Sequence, residues 1–112
     1  MKHLRKSAEF TEVLKGGGKQ RGKGLTVFFK RGNSAGELSV GLIVSKRVEP
    51  LATKRNYLRR ILYAICGENA ERWKTRTSIV VRVDEIEPGI SRKETYRRIR
   101  EELGNILDKM AR

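Results

Sequence analysis

From Ala52 to Ile65 the chain reads Ala-Thr-Lys-Arg-Asn-Tyr-Leu-Arg-Arg-Ile-Leu-Tyr-Ala-Ile. Turned at 100° per residue, Leu58, Ile61, Leu62 and Ile65 fall within a stripe roughly 100° wide, the pattern of a helix with one face on a core. Asn56, Arg59, Arg60 and Tyr63 fall together on the opposite side, with Arg55 on the flank. Such a helix must pack its apolar stripe and leave the other face to solvent or a partner. That free face carries guanidinium groups, which bind phosphate bidentately and stack on bases, and an amide, which reads a base edge or a ribose hydroxyl. Just upstream, Val44-Ser-Lys-Arg-Val48 adds Lys46 and Arg47 where a strand is expected to end.

The charge balance points the same way. The 112 residues fit one domain with one modest core. They carry a net charge of +13, and its placement is uneven. Residues 1–83 hold 19 basic and 6 acidic side chains, whereas residues 84–112 hold 7 of each. The whole excess therefore lies in the first three quarters of the chain. A field of that size opposes the compact state unless a polyanion neutralises it, and nucleic acid is the first candidate. An anionic membrane surface is the second, but no segment is apolar enough to span a bilayer. Met1–Lys6 reads as a basic arm with no apolar run behind it, so no secretory signal is expected. The single cysteine, Cys66, excludes an internal disulfide and suits a reducing cytosol.

Periodicity gives a helix from about Ser7, as N-cap, to Lys15, with Phe10, Val13 and Leu14 on one side. Gly16–Gly18 ends it, and Lys19–Gly24 is a cationic loop. Leu25–Arg31 is rich in β formers and is expected as a strand. Gly32–Gly36 reads as a hairpin-type loop to a second strand, Leu38–Ser45, with Leu38, Val40, Leu42 and Val44 on one face. The basic helix follows to about Cys66, with Gly67 as its C′ residue. Thr77–Val83 is a third strand. Ser91 and Glu94 form a capping box for a last helix whose apolar positions are Tyr96, Ile99, Leu103, Ile106, Leu107 and Met110. The result is an α+β layer of helices on a small sheet, with part of one sheet face left free.

Catalytic chemistry is thin. His3 stands alone in the basic arm, and one cysteine cannot make a zinc cluster. Cys66 ends the core stripe and reads as a buried small hydrophobe. The acidic residues of the basic part show no spacing for a two-metal carboxylate site. Gly16–Gly18 lacks a preceding strand and a Walker pattern, so it is a hinge and not a nucleotide loop. No catalytic residue and no metal ligand is assigned.

Three segments resemble one family in order and spacing. Leu4-Arg-Lys-Ser-Ala-Glu-Phe-Thr-Glu-Val-Leu-Lys-Gly16 resembles the opening helix of the protein subunit of bacterial ribonuclease P. Val40-Gly-Leu-Ile-Val-Ser-Lys-Arg-Val48 resembles its Val-Gly-x-x-Val-Ser-Lys-Lys strand, and Ala52-Thr-Lys-Arg-Asn-Tyr-Leu-Arg-Arg60 its Arg-Asn-Arg helix. The resemblance implies a single domain over 1–112 with a four-stranded mixed sheet in the order α-β-β-β-α-β-α. The extra strand would lie near Lys19–Gly24 or at a margin of the other segments. A left-handed crossover is also implied, from the Val40–Ser45 strand through the basic helix, against the general preference. Four positions depart from the family pattern: Tyr57 at the third position of Arg-Asn-Arg, Tyr63 for an arginine, Leu14 for an aromatic and Glu49 for a glycine.

The resemblance also implies a function. A ribonuclease P RNA would perform the cleavage with magnesium, and this chain would bind that RNA and the 5′ leader of precursor tRNA. It would bind no cofactor itself, and would work in the cytoplasm as a monomer within a ribonucleoprotein, away from any membrane. The candidate RNA-binding residues are Lys46, Arg47, Lys54, Arg55, Asn56, Arg59 and Arg60. Phe10, Thr26 and Phe28 would line a cleft for the leader, with Thr26 and Phe28 on one strand face. A general or ribosomal RNA-binding protein is the alternative; it shares the charge but gives no reason for three motifs in this order.

Overall fold

The strand that carries the fully buried run Ile79-Val80-Val81 takes the centre of the sheet. In a computed structural model that describes residues 1–111, the elements are β1 (Lys2–His3), α1 (Ser7–Gly16), β2 (Gly18–Arg21), β3 (Leu25–Ala35), β4 (Leu38–Ile43), α2 (Ala52–Asn69), β5 (Thr75–Val83) and α3 (Arg92–Ala111). A single 3₁₀ turn, Ala70–Arg72, follows α2. The sheet order is β1-β4-β5-β3-β2. β5 runs parallel to β4 and antiparallel to β3, and α2 bridges the parallel pair.

One face of this sheet carries Leu25 and Val27, Leu38, Val40 and Leu42, and Ile79, Val81 and Val83. α2 lays Leu58, Ile61, Leu62 and Ile65 on it, and α3 lays Ile99, Leu103, Ile106, Leu107 and Met110 beside them. All are buried, and each such side chain contributes roughly 1.5–3 kcal/mol on leaving water. This is the main core. The opposite face is covered only in part. There α1 packs Val13 and Phe10 against Val80, Phe28, Ile43 and Leu4.

The sheet has five strands, not four. Gly18–Arg21 supplies one where it was expected, antiparallel to β3. The other comes from the N-terminal segment read as a basic arm: Lys2–His3 pairs in parallel with Ser39–Val40, and the Leu4 N–H donates to the Val40 carbonyl at 2.8 Å. Leu4 is buried, so one apolar side chain anchors a segment that charge alone marked as free. Gly32–Gly36 is not a hairpin loop. β3 continues to Ala35 through an irregularity after Arg31, and β5 lies between β3 and β4. The Ile-Val-Val core of β5 is buried on both faces, which puts it in the middle.

The helix ends differ too. Lys6, not Ser7, precedes the first helical residue of α1, and the Glu9 carboxylate accepts from the Arg5 and Lys6 N–H groups at 3.1 and 2.9 Å. α1 runs through Gly16 and stops at Gly17, where a Cβ would stand 1.7 Å from the Phe29 carbonyl oxygen. Gly67 lies inside α2, which runs on to Asn69; Gly89 alone among the described residues has positive φ, so no left-handed C′ glycine ends α2. Ser91 caps α3 by accepting from the Glu94 N–H at 3.1 Å. The Glu94 carboxylate turns to Arg97 and Arg98 instead of closing the box.

Candidate nucleic-acid interface

With its apolar stripe on the sheet, α2 turns the opposite face outward. Lys54, Asn56 and Arg60 are exposed, and Arg55 and Arg59 are half-exposed. The Arg55 guanidinium donates to the Glu49 and Pro50 carbonyls at 2.9 and 2.7 Å, which ties the preceding loop to the first turn of the helix. Arg59 donates to the Asn56 amide oxygen at 3.2 Å, so these two side chains present themselves together. The loop is a tight turn in which Ser45 Oγ accepts from the Val48 N–H and the Ser45 carbonyl from the Glu49 N–H. Lys46 and Arg47 stand exposed at its tip. Glu49, in place of the family's glycine, keeps ordinary φ and accepts the Leu51 N–H at 3.1 Å.

Charge pairing separates two surfaces. Among the described residues none of Lys46, Arg47, Lys54, Arg55, Arg59 and Arg60 joins an ion pair. On α3, Arg97 pairs with Glu94 and Glu101, Arg98 with Glu87 and Glu94, and Arg100 with Glu68. The Arg97 guanidinium holds the Glu94 carboxyl below its usual range. The uneven charge of the sequence is thus realised as free cations around α2 and paired arginines at Arg97, Arg98 and Arg100 in the middle of α3.

The two tyrosines on the α2 face have partners that sequence did not reveal. Arg60 lies over the Tyr57 ring at 5.6 Å and Arg92, the first residue of α3, at 5.0 Å. The Tyr57 hydroxyl donates to the Arg92 carbonyl at 3.2 Å. Tyr63 stacks on His3 of β1, with ring centroids 3.8 Å apart and planes 9° from parallel. Burial raises the Tyr63 phenol's pKa, offset in part by the nearby Arg5 and Arg59 guanidinium groups. The N-terminal strand therefore borders this surface. Only the parallel pairing of β1 with β4 brings it there, and no periodicity reports that.

On the other sheet face, α1 and the strands bound a cleft. The Phe10 ring lies directly over Gly41, where an added Cβ would be 2.7 Å from two ring carbons. Phe28 is half-buried beside it, with the Arg82 guanidinium over its ring at 5.1 Å. Thr26 is fully buried, and its hydroxyl donates to Asp84 at 2.5 Å, so it forms the floor and not the lining. The same carboxylate pairs with Arg82 at 2.6 Å. Lys19 and Arg21 pair across from Phe28 and Thr26, which puts both cations on this face at the sheet edge. Sequence reading left Lys19 and Arg21 in a loop and Arg82 in a strand; the β2–β3 and β3–β5 registers, which put all three on this face, were the missing signal. Leu14, in place of an aromatic, is 38% exposed on α1. At the far end Lys30 pairs with Glu12 at 2.7 Å.

The cleft and the basic helix are joined through β4. Ile43 pairs with Arg82 at the cleft, and the next residues are the Val44–Val48 turn leading to α2. A separate groove, about 910 Å³, lies between α3 and the loops at Gly22–Gly24 and Glu85–Ile90. Glu102 bridges it by accepting from the Gly24 and Leu25 N–H groups, and its acids and bases alternate, so it lacks the one-signed field of the α2 face. Among the described residues no cluster of three His, Cys, Asp or Glu side chains could hold a metal ion. Cys66 is buried, and burial pushes its thiol up to about 12, where no nucleophilic thiolate forms at neutral pH. No helix among the described residues is long and apolar enough to cross a membrane. The available chemistry is phosphate binding and base stacking.

A family model described as Ribonuclease P matches residues 1–111. The ribonuclease P protein component of Pseudanabaena sp. (strain PCC 6903) is 31% identical over 106 residues, spanning 95% of this chain and 88% of that one. Among solved structures, an RNase P protein from Staphylococcus aureus superposes with a TM-score of 0.81 at 17% identity, over 98% of this chain and 95% of that one. One from Thermotoga maritima superposes with a TM-score of 0.75 at 22% identity, over 97% of each. At these identities the two structures establish the fold.

Proposed function

The chain belongs to the ribonuclease P protein family, and on that premise we propose that it grips the enzyme's RNA subunit with α2 and the Ser45–Val48 turn while holding the 5′ leader of precursor tRNA in the cleft beside α1. A protein component of ribonuclease P serves tRNA 5′ processing together with an RNA subunit, as part of an endoribonuclease. The observation that carries the assignment of surfaces is the contrast in pairing. Lys46, Arg47, Lys54, Arg55, Arg59 and Arg60 have no carboxylate partner among the described residues, whereas Arg97, Arg98 and Arg100 do. A free guanidinium offers its donors to phosphate without first breaking a pair. Asn56, held by Arg59, supplies an amide for a base edge or a ribose hydroxyl.

In the cleft, Phe10 and Phe28 offer ring faces for unpaired leader bases, while Lys19, Arg21 and Arg82 meet the backbone. Base stacking on aromatic rings tolerates any sequence, which suits a leader that differs from one tRNA to the next. Leu14 gives one stacking surface fewer than the family pattern. The RNA subunit does the cleavage, with magnesium held through that RNA. The protein contributes binding energy and screens phosphate repulsion, acting as a monomer within the ribonucleoprotein in the cytoplasm. In the reaction, water attacks the phosphorus between leader and tRNA, and the leader's 3′ oxygen leaves.

Reconstitution tests this. The protein with magnesium alone should leave precursor tRNA intact. Adding ribonuclease P RNA should yield mature tRNA with a 5′-phosphate and a leader with a 3′-hydroxyl. The benefit of the protein should shrink at high salt and magnesium, where cations replace its screening. Specific cleavage by an RNA-free preparation, or no preference for ribonuclease P RNA over an unrelated RNA of equal length, would overturn the assignment.

A further inference from the structure

The arginines in the middle of α3, Arg97, Arg98 and Arg100, are all paired with carboxylates, whereas the arginine at its first residue is not. Arg92 forms no ion pair among the described residues, and its guanidinium makes no hydrogen bond there. It lies over the Tyr57 ring at 5.0 Å, and Arg60 of α2 lies over the same ring at 5.6 Å. Arg60 likewise spends none of its donors within the described residues. Both arginines are exposed, and the ring they share is half-buried. The Tyr57 hydroxyl fixes the arrangement by donating to the Arg92 carbonyl, which holds the start of α3 against α2.

A guanidinium drawn over a ring by cation–π attraction is positioned there without giving its N–H donors to another side chain. The shared ring therefore positions two cations whose donors have no partner among the described residues. Bidentate binding of a phosphate needs such a preorganised, unspent fork. Tyr57 also stands where the family pattern has an arginine. The ring recruits a guanidinium from α3 to the place where its own side chain lacks one.

We propose that Arg92, Tyr57 and Arg60 form a phosphate-binding site for RNA that spans α2 and α3. The site extends the interface beyond the single basic helix, and the inference rests on the reading of this chain as an RNA-binding subunit. Its position beside Asn56 and Arg59 assigns the phosphate to the RNA subunit, with precursor tRNA as the second source.

The test is equilibrium binding of full-length variants to ribonuclease P RNA across a salt series, with and without precursor tRNA. Arg92→Ala is expected to weaken binding roughly three- to tenfold at fixed salt, and to make the log–log salt slope shallower by about 0.7–0.9, one phosphate's worth of counterions. Arg97→Ala removes the same charge from a residue already paired with Glu94 and Glu101, and should change neither quantity appreciably. Arg92→Lys should restore the slope but only part of the affinity, because an ammonium group neither stacks flat nor binds bidentately. Tyr57→Leu keeps every charge and should lower affinity while leaving the slope nearly intact. A loss seen with the RNA subunit alone assigns the phosphate to that RNA; a loss that emerges only with precursor tRNA assigns it to the substrate. The proposal fails if Arg92→Ala binds like the parent, or if Arg97→Ala loses as much. Failure of the underlying reading is distinguishable, since the unmodified protein would then show no preference for ribonuclease P RNA.

Discussion

Replacing Phe10 by alanine separates packing from recognition, because the ring serves both. It lies over Gly41 and packs with Phe28 and Val80, yet it is only half-buried. Loss of the buried half should lower stability by about 1–2 kcal/mol, part of the roughly 1.5–3 kcal/mol for a fully buried ring. Loss of the exposed half removes one stacking surface, worth roughly 1–3 kcal/mol per base, or about 5- to 150-fold in affinity. Those two losses appear in different assays. Thermal unfolding reads the first. For the second, the reconstituted holoenzyme is titrated with precursor tRNA and with mature tRNA, which lacks the leader. Phe10→Ala should weaken only the precursor. Val13→Ala is the control: Val13 is 3% exposed on the same helix, so its truncation should cost comparable stability and spare leader binding. Equal weakening of precursor and mature tRNA by Phe10→Ala, or equal leader effects from the two variants, would refute the cleft assignment.

Gly41→Ala should have a related but distinct effect. Its methyl would crowd the Phe10 ring at 2.7 Å and displace it without removing it, costing roughly 1–3 kcal/mol of stability and part of the leader preference, read by the same two assays. Arg55→Ala with Arg59→Ala should weaken assembly with the RNA subunit by a few kcal/mol, given roughly 1.5–3 kcal/mol per charge-assisted bond, whereas Arg97→Ala with Arg100→Ala should do much less; equal losses in binding would show that total charge matters and position does not. Affinity for the RNA subunit should fall steeply with salt, with a log–log slope of at least about −3.5 for five neutralised phosphates, and a change of less than about threefold between low and physiological salt would contradict it. Cys66 should resist thiol reagents in the folded chain and react once unfolded. Its thiol titrates at about 12 when folded against 9.0 as the ordinary value, so the unfolded state loses its proton first and stability should decline as pH rises above about 9, measured by denaturant unfolding; a Cys66→Ala variant should lack that component.

Sequence alone determined the parts governed by local rules. The stripe of Leu58, Ile61, Leu62 and Ile65 requires an amphipathic helix whatever it packs on, and the alternation of Leu38, Val40, Leu42 and Val44 requires a half-buried strand; the structure buries all eight. The charge division at residue 83 pointed to a polyanion, and the three motifs in their order carried the resemblance to the family, because charge and spacing are written directly in the chain. Tertiary structure decided what depends on partners far away in sequence. Lys2–His3 became a strand only because β4 offers it an edge, and Gly32–Gly36 lost its hairpin reading because β5, forty residues on, takes the place between β3 and β4. Asp84 took the Thr26 hydroxyl into the floor of the cleft, and the β2–β3 register put Lys19 and Arg21 on its rim. Arg92 shows the division most clearly. In sequence it belongs to the charge-balanced stretch 84–112, 32 residues after Arg60, and nothing in its neighbours marks it. Packing α3 beside α2 places its guanidinium on the Tyr57 ring, since a contact between two helices depends on the axial placement of both, which no single periodic pattern encodes.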